Sequence, residues 1–205
     1  MFISFEGIDG CGKTTQARLL AEGLEKIGMY LVFTVEPGGS VIGSKIRNIL
    51  LDPKHKELVP LAELLLYNAD RAQHVEEVIL PALKSGKVVI TDRYIDSTIA
   101  YQGYGRGLDM GVLHTLENLV TRGLKPDITF LLDINVEQGL ERNMLAGKID
   151  RIQEEDIRFH EMVRQGYLKI GEANPWRFFK IDGGLAKDYI ADKIFGIFLE
   201  RVNGL

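Results

Sequence analysis

One cysteine in 205 residues leaves no internal disulfide, so burial of a core must hold this chain together. Charge of one sign is scarce as well: 25 Lys and Arg stand against 29 Asp and Glu, a formal net −4. Without a basic field, nucleic acid is not expected as a partner, and any positive charge that binds an anion has to be gathered locally. No apolar run approaches the roughly 20 residues that span a bilayer, and no basic-then-apolar leader is seen, so the expectation is no membrane contact and a cytoplasmic location. Zinc-type Cys/His spacings, internal repeats and low-complexity tracts are missing too. His55, His74, His114 and His160 have no partner at ligand or triad spacing and read as ordinary helix or loop residues, while the lone tryptophan, Trp176, reads as core.

What is present is a phosphate-cradling loop. Gly7-Ile8-Asp9-Gly10-Cys11-Gly12-Lys13-Thr14 fits G-x-x-x-x-G-K-[ST]. Before it, Met1–Glu6 is apolar and β-prone; after it, Ala17, Leu20, Ala21, Leu24 and Ile27 recur at helical spacing until Gly28 offers a C-cap. Strand, loop and helix are the context in which backbone amides form a nest for an anion and a helix start aims its dipole at it. Lys13 would reach the β and γ phosphates, and the Thr14 hydroxyl would ligate magnesium.

The rest of the chain alternates in the same way. Strands are expected at Tyr30–Val35, Lys87–Asp92, Asp127–Ile134 and Trp176–Asp182. Helices are expected over Val41–Leu50, Leu58–Ser85 with a kink or end at Pro81, Asp109–Arg122, from Val136, up to about Ile170, and over Leu185–Val202. Leu61, Leu64, Leu65, Val75, Val78 and Ile79 can pack from the long helix, and the Gly- and Tyr-rich Tyr94–Gly107 suits a ligand-facing turn. Between residues 142 and 156 the apolar pattern lapses and charge accumulates, which suggests a small mobile lid, with Glu154-Glu155-Asp156 capping the next helix. The whole is a single α/β domain, residues 1–205: a three-layer, doubly wound, five-stranded parallel sheet with helices on both faces.

Small-molecule kinases, GTPase switches and remodelling ATPases share such a loop. No Asn-Lys-x-Asp run is present to read guanine, and the length is short for a remodelling ATPase. A kinase of a small acceptor needs a second anion site, for which Arg47, Arg71 and Arg93 are candidates. Asp92 and Asp133 each close an apolar strand, and either suits the magnesium side. Tyr67 and Arg71, four apart on one helix face, suit a base stacked on a ring and read by a guanidinium, or equally a packed aromatic with an arginine lying over it.

The run Phe5–Gln16, then Glu36-Pro37-Gly38-Gly39, then Asp70-Arg71, then Asp92-Arg93-Tyr94 through Gln102-Gly103, resembles thymidylate kinase motif by motif and in order over nearly the whole chain. The resemblance implies magnesium-dependent transfer of the γ-phosphoryl of ATP to TMP on the fold of the nucleoside monophosphate kinases, by a homodimer. It implies that Gly7, Ile8, Asp9, Gly10, Cys11, Gly12, Lys13, Thr14 and Thr15 hold ATP, and that Asp92 rather than Asp133 joins Thr14 at the metal. It further implies TMP contacts by Asp9 at the 3′-hydroxyl end, Arg47 and Arg93 at the phosphate, Tyr67, Arg71 and Thr98 at the base, Tyr101 at the sugar face, and Gln102, Ser97 and Glu36 around them. A cis Glu36–Pro37 peptide also follows from it. Lys13, Arg93, Asp9 and Arg151 form the expected catalytic set. Relatives with Gly at the place of Gly10 usually carry several lid arginines; here only Arg142, Lys148 and Arg151 are basic, with Leu145 and Ala146 where basic residues are common, so the lid cation falls to Arg151. The reading from a different class is a nucleotide-binding regulatory or remodelling ATPase with no nucleotide acceptor.

Overall fold

Strand β1 (Phe2–Glu6) is buried at every residue, and so is β3 (Val88–Asp92). Both are mostly apolar, without an exposed polar face, because helices cover the two faces of the sheet they share. With β2 (Leu31–Val35), β4 (Ile128–Asp133) and β5 (Phe178–Asp182) they form a five-stranded, all-parallel sheet in the order β2-β3-β1-β4-β5. The computed structural model describes residues 1–145, 147 and 150–204. From β1 the chain crosses to one side to reach β2, and from β3 it crosses back to β4. The loops after β1 and β3 therefore diverge, opening a crevice at the carboxyl ends of the central strands, where such sheets bind ligands.

Helix α1 (Lys13–Lys26) follows β1, and Gly28 at φ 82° closes it with amides of residues 28 and 29 turned back onto Glu25 and Leu24. After β2 come α2 (Val41–Leu51) and α3 (Pro60–His74), which runs without a break through a π-helical stretch, Val75–Ile79, into α4 (Leu80–Lys84). That wide turn just before Pro81 accommodates the missing proline amide, so the expected kink becomes a local change of pitch. Leu64, Val75 and Ile79 pack inward as expected, but Leu61 and Leu65 are about half exposed.

Tyr94–Gly107 is a correction. It is not a turn but helix α5 (Ile95–Thr98) continued by a π-helical stretch, Ile99–Gly105. Composition argues against helix there; tertiary packing outweighs it, because Gly105 brings this segment onto Phe159 and Val163 while Gly166 admits Tyr104. Helix α6 (Met110–Thr121) starts at Asp109, whose side chain accepts from the Val112 amide. Then follow α7 (Val136–Leu145), α8 (Ile157–Ala173) and α9 (Lys187–Asn203). Asp156 caps α8 by accepting from Phe159 N, as its position before the helix requires. Ala146, Lys148 and Ile149 of the proposed lid lie outside the described residues.

Trp176 is a second correction: it is 64% exposed, and the ring that fills the core from this strand is Phe178. An aromatic at a strand entrance is still in the loop, ahead of the pleat that turns alternate residues inward. Tyr30 is outside β2 and exposed for the same reason.

Candidate active site

The loop after β1 takes its shape from glycines where a side chain would not fit. Gly7, Gly10 and Gly12 have φ of 138°, 77° and 98°, and a Cβ on Gly10 would collide with the Gly139 carbonyl of α7. Gly12 begins α1 with no side-chain cap, leaving the first-turn amides to an anion. Lys13 is buried and folds over the loop, its Nζ donating to Ile8 O at 2.9 Å and standing 3.9 Å from Asp9 Oδ1. Thr14 Oγ1 donates to Asp92 Oδ2, so the hydroxyl that ends the loop motif and the carboxylate that ends β3 share one spot. Asp133 stands elsewhere, gripped by Arg164 Nε and Nη2 at 2.7 and 3.1 Å.

Arg93 follows β3 with φ 74°, a left-handed backbone uncommon for a residue with a side chain. Sequence leaves open a pairing with Asp92; its Nη2 instead donates to Asp9 Oδ1 at 2.5 Å and Tyr101 Oη at 3.1 Å. Burial pushes Asp9 up, but the Arg93 and Lys13 charges outweigh it and hold the carboxyl well below the usual range. Arg71, on α3, is almost fully buried: Nε donates to Glu36 Oε2 at 2.7 Å, Nη1 to Thr98 Oγ1 at 2.6 Å and Glu117 Oε1 at 2.5 Å, and Nη2 to Tyr94 O at 3.0 Å. Glu36 is therefore no solvated loop residue, and the Glu36–Pro37 peptide beside it is cis. His74 is a further correction: it is fully buried, with Nδ1 2.8 Å from Glu36 Oε1 and Nε2 2.6 Å from Thr34 Oγ1.

A cavity of about 640 Å³ joins these pieces. Its wall takes Asp9, Gly10, Gly12, Lys13, Thr14 and Thr15 from the loop, and Glu36, Arg47, Tyr67, Arg71, Asp92, Arg93, Ser97, Thr98, Tyr101 and Gln102 from the elements around it. Gly7, Ile8 and Cys11 are not in the wall; Ile8 and Cys11 are core residues beneath it. Arg151 is not in the wall either. Its Nη2 donates to Glu63 Oε2 at 2.5 Å and its Nε to Leu50 O at 3.0 Å. Arg142, by contrast, does line the cavity and donates to Gly183 O at 3.1 Å.

The family model for thymidylate kinase matches residues 5–194, which takes in the loop, the rest of the cavity wall and the segment between α7 and α8. The chain belongs to the thymidylate kinase family. The thymidylate kinase of Geotalea daltonii is 48% identical over 210 residues, covering 99% of this chain and 98% of that one. That of Trichormus variabilis is 48% identical over 191 residues, covering 92% and 90%. A crystal structure of thymidylate kinase from Ehrlichia chaffeensis matches with a TM-score of 0.80 at 39% identity, covering 97% of this chain and 98% of that one. The activity is thymidylate kinase activity, an ATP-dependent transferase of nucleotide biosynthesis. Among the described residues no helix is long and apolar enough to cross a membrane.

Of the second layer of this site only Glu6 lies inside a run that carries the thymidylate kinase resemblance, and nothing in that run gives it a partner. Glu6, Glu63, Glu117 and Tyr167 are buried partners of the wall residues, and each reads in sequence as an isolated residue of a strand or helix. The signal available for them is a carboxylate on an otherwise apolar stretch, such as Glu6 at the end of Phe2–Phe5, which needs a buried partner.

Cys11 sits under the loop, 1% exposed, 3.7 Å from Lys13 Nζ. Burial pushes its thiol up, outweighing the Lys13 charge that pulls it down. A small alkylating reagent is expected to modify it slowly, and saturating ATP to protect it further. Labelling at an unchanged rate with ATP, followed by mass spectrometry, would show that the loop does not close over the nucleotide.

Proposed function

We propose that the chain transfers the γ-phosphoryl of ATP to TMP, giving ADP and TDP, with Gly7–Thr15 holding the donor and the elements around it holding the acceptor. A TMP phosphate oxygen attacks the γ-phosphorus; that bond forms as the bond to the β,γ-bridging oxygen breaks, and the electron pair leaves on ADP. The attacking group is already an oxyanion, so no general base is needed. Alignment and charge neutralisation carry the rate.

The observation that carries this reading is one cavity lined by both the phosphate loop and Arg93, whose guanidinium rests on Asp9 of that loop. Arg93 would fork onto the acceptor phosphate, and Arg47, whose Nη1 now donates to Pro37 O at 2.6 Å, would join it. Tyr67 and Arg71, one turn apart on α3, would stack on and hydrogen-bond the thymine, with Thr98 at the base edge and Gln102, Ser97 and Glu36 around it. Tyr101 would pack on the sugar where a 2′-hydroxyl would go, and Asp9 would reach the 3′-hydroxyl end. Thr14 and Asp92 offer two oxygen donors at one edge of the cavity, which suits magnesium, an ion that keeps several waters and phosphate oxygens. Bound with ATP, the ion would neutralise charge on the β and γ oxygens.

We further propose a cytoplasmic homodimer. Ile42 and Ile49 of α2, Leu61 and Leu65 of α3, and Val112 and Leu119 of α6 are exposed apolar residues in support of it. A coupled assay with ATP and magnesium against a panel of nucleoside monophosphates is expected to show TMP as the preferred acceptor. Equal rates with AMP or CMP would overturn the pocket assignment, and hydrolysis indifferent to acceptor would mark a regulatory or remodelling ATPase instead.

A further inference from the structure

Behind Arg93 lies a group of side chains that phosphate chemistry itself does not use. Arg93 Nη1 donates to Gly7 O at 3.0 Å, to Ser97 Oγ at 3.2 Å and to Tyr167 Oη at 3.0 Å. The two hydroxyl oxygens are 2.7 Å apart, and both reach the same atom behind them, Glu6 Oε2, Ser97 at 2.6 Å and Tyr167 at 3.2 Å. Glu6 Oε1 is kept by the Tyr94 amide at 2.8 Å.

The polarity of this chain runs one way. Each hydroxyl spends its proton inward, on Glu6 or on the other hydroxyl, and offers its lone pairs outward to the guanidinium, which has only donors. Burial, then the Asp96 charge, push the Glu6 carboxyl up to about 8, so this polarity is complete above that pH, where both Glu6 oxygens only accept. Glu6 has no exposure and ends β1 one residue before the phosphate loop, whereas Tyr167 comes from α8, the helix entered from the lid segment. Three separated elements thus converge on the inner edge of one guanidinium, whose own backbone is in a left-handed conformation that the surroundings must enforce.

We propose that Tyr167 and Glu6 are positioning residues for Arg93: Glu6 orients the Ser97 and Tyr167 hydroxyls, and these hold the guanidinium plane at the angle needed to meet the acceptor phosphate as it attacks. The inference rests on the reading of Arg93 as the acceptor-phosphate clamp. Neither residue lines the cavity, so their loss acts through misalignment, which raises the barrier more than it weakens ground-state binding.

The test is a double-mutant cycle of Tyr167→Phe and Glu6→Gln, with kcat and KM for TMP, and with Arg93→Ala alongside. Tyr167→Phe keeps the ring and loses only the hydroxyl. In the Glu6→Gln variant, compared with the parent above about pH 8 where the Glu6 carboxyl is ionised, the new side chain's carbonyl oxygen stays on the Tyr94 amide, which turns its NH2 donors onto the hydroxyls and reverses their polarity. Tyr167→Phe is expected to lower kcat about tenfold with KM for TMP changed less than about threefold, and the double variant to lose little more than the worse single one. A Tyr167→Phe kcat within about twofold of the parent, or losses that multiply in the double variant, overturns the proposal. If Glu6→Gln does not fold, Ser97→Ala replaces it in the cycle under the same criteria. Arg93→Ala separates the layers: lost activity there with an unaffected Tyr167→Phe overturns the positioning role alone, and retained activity overturns the clamp along with it.

Discussion

Arg151→Ala is expected to lower kcat by about 10³-fold with little change in TMP affinity, the low end of the range for an arginine finger supplied in cis. Negative charge on the moving phosphoryl group must be met by a cation. Gly10 supplies none, and the Gly139 carbonyl leaves no room for a side chain there. On the proposed reading Lys13 and Arg93 are committed to the donor and acceptor phosphates. In this structure Arg151 is paired with Glu63, so reaching the γ-phosphoryl group requires Arg151 to exchange Glu63 for phosphate oxygens. Glu63 would not be orphaned by that exchange: Arg106 Nε and Nη2 stand at 3.2 and 3.1 Å and Gln102 Nε2 at 2.8 Å. For Arg151 the exchange replaces one anionic oxygen partner by another, and Arg151→Lys should recover only part of the loss because it lacks the planar fork. Arg142→Ala should cost much less. Single-turnover rates at saturating ATP and TMP decide: an Arg151→Ala enzyme within about threefold of the parent would make Arg151 a structural partner of Glu63 and leave the lid without its cation.

The second large effect is on stability. Arg71→Ala is expected to destabilise the fold by about 3–5 kcal/mol, the cost of stranding buried charge, and to raise KM for TMP more than it lowers kcat. Glu36 and Glu117 both lose their guanidinium, and both are buried. His74 would still face Glu36, but among the described residues no other cation pairs with Glu117, whose second oxygen already has no partner there. Burial pushes Glu117 up even with Arg71 present, and loss of the guanidinium charge should push it further, favouring the protonated carboxyl. Glu117→Gln added to Arg71→Ala should therefore restore part of the stability and none of the TMP affinity. Urea unfolding and TMP saturation curves report the two separately; an Arg71→Ala protein that unfolds with the parent would mean that solvent reaches these carboxylates.

The pieces of the candidate site that are sequence-local are legible in the sequence: the Gly7–Thr14 loop, Tyr67 and Arg71 one helical turn apart, and Asp92-Arg93 closing and following a strand. Spacing leaves Asp92 level with Asp133 and the Tyr67–Arg71 pair open, and it is the resemblance to thymidylate kinase that selects among them. The second layer is not legible, since Arg71 meets Glu117 across 46 residues and Tyr167 meets Glu6 across 161, and no pattern within one element records such a partner. His74 is misread in sequence for that reason: on its own helix it is one more polar residue, and only β2 and the Glu36 loop make it a buried partner of a carboxylate.

By itself the sequence determined the alternation of strands and helices, the phosphate nest and the parallel sheet, because these follow from hydrophobic period, glycine placement and the strand-loop-helix context of one motif. The tertiary structure alone decided that Tyr94–Gly107 is largely helical, that Trp176 is exposed while Phe178 is buried, and that Arg151 is held by Glu63. In each case local preference is weak, and the outcome depends on what a distant element presents: glycine-lined contact with α8, the pleat of β5, and a carboxylate on α3 with no exposure to water.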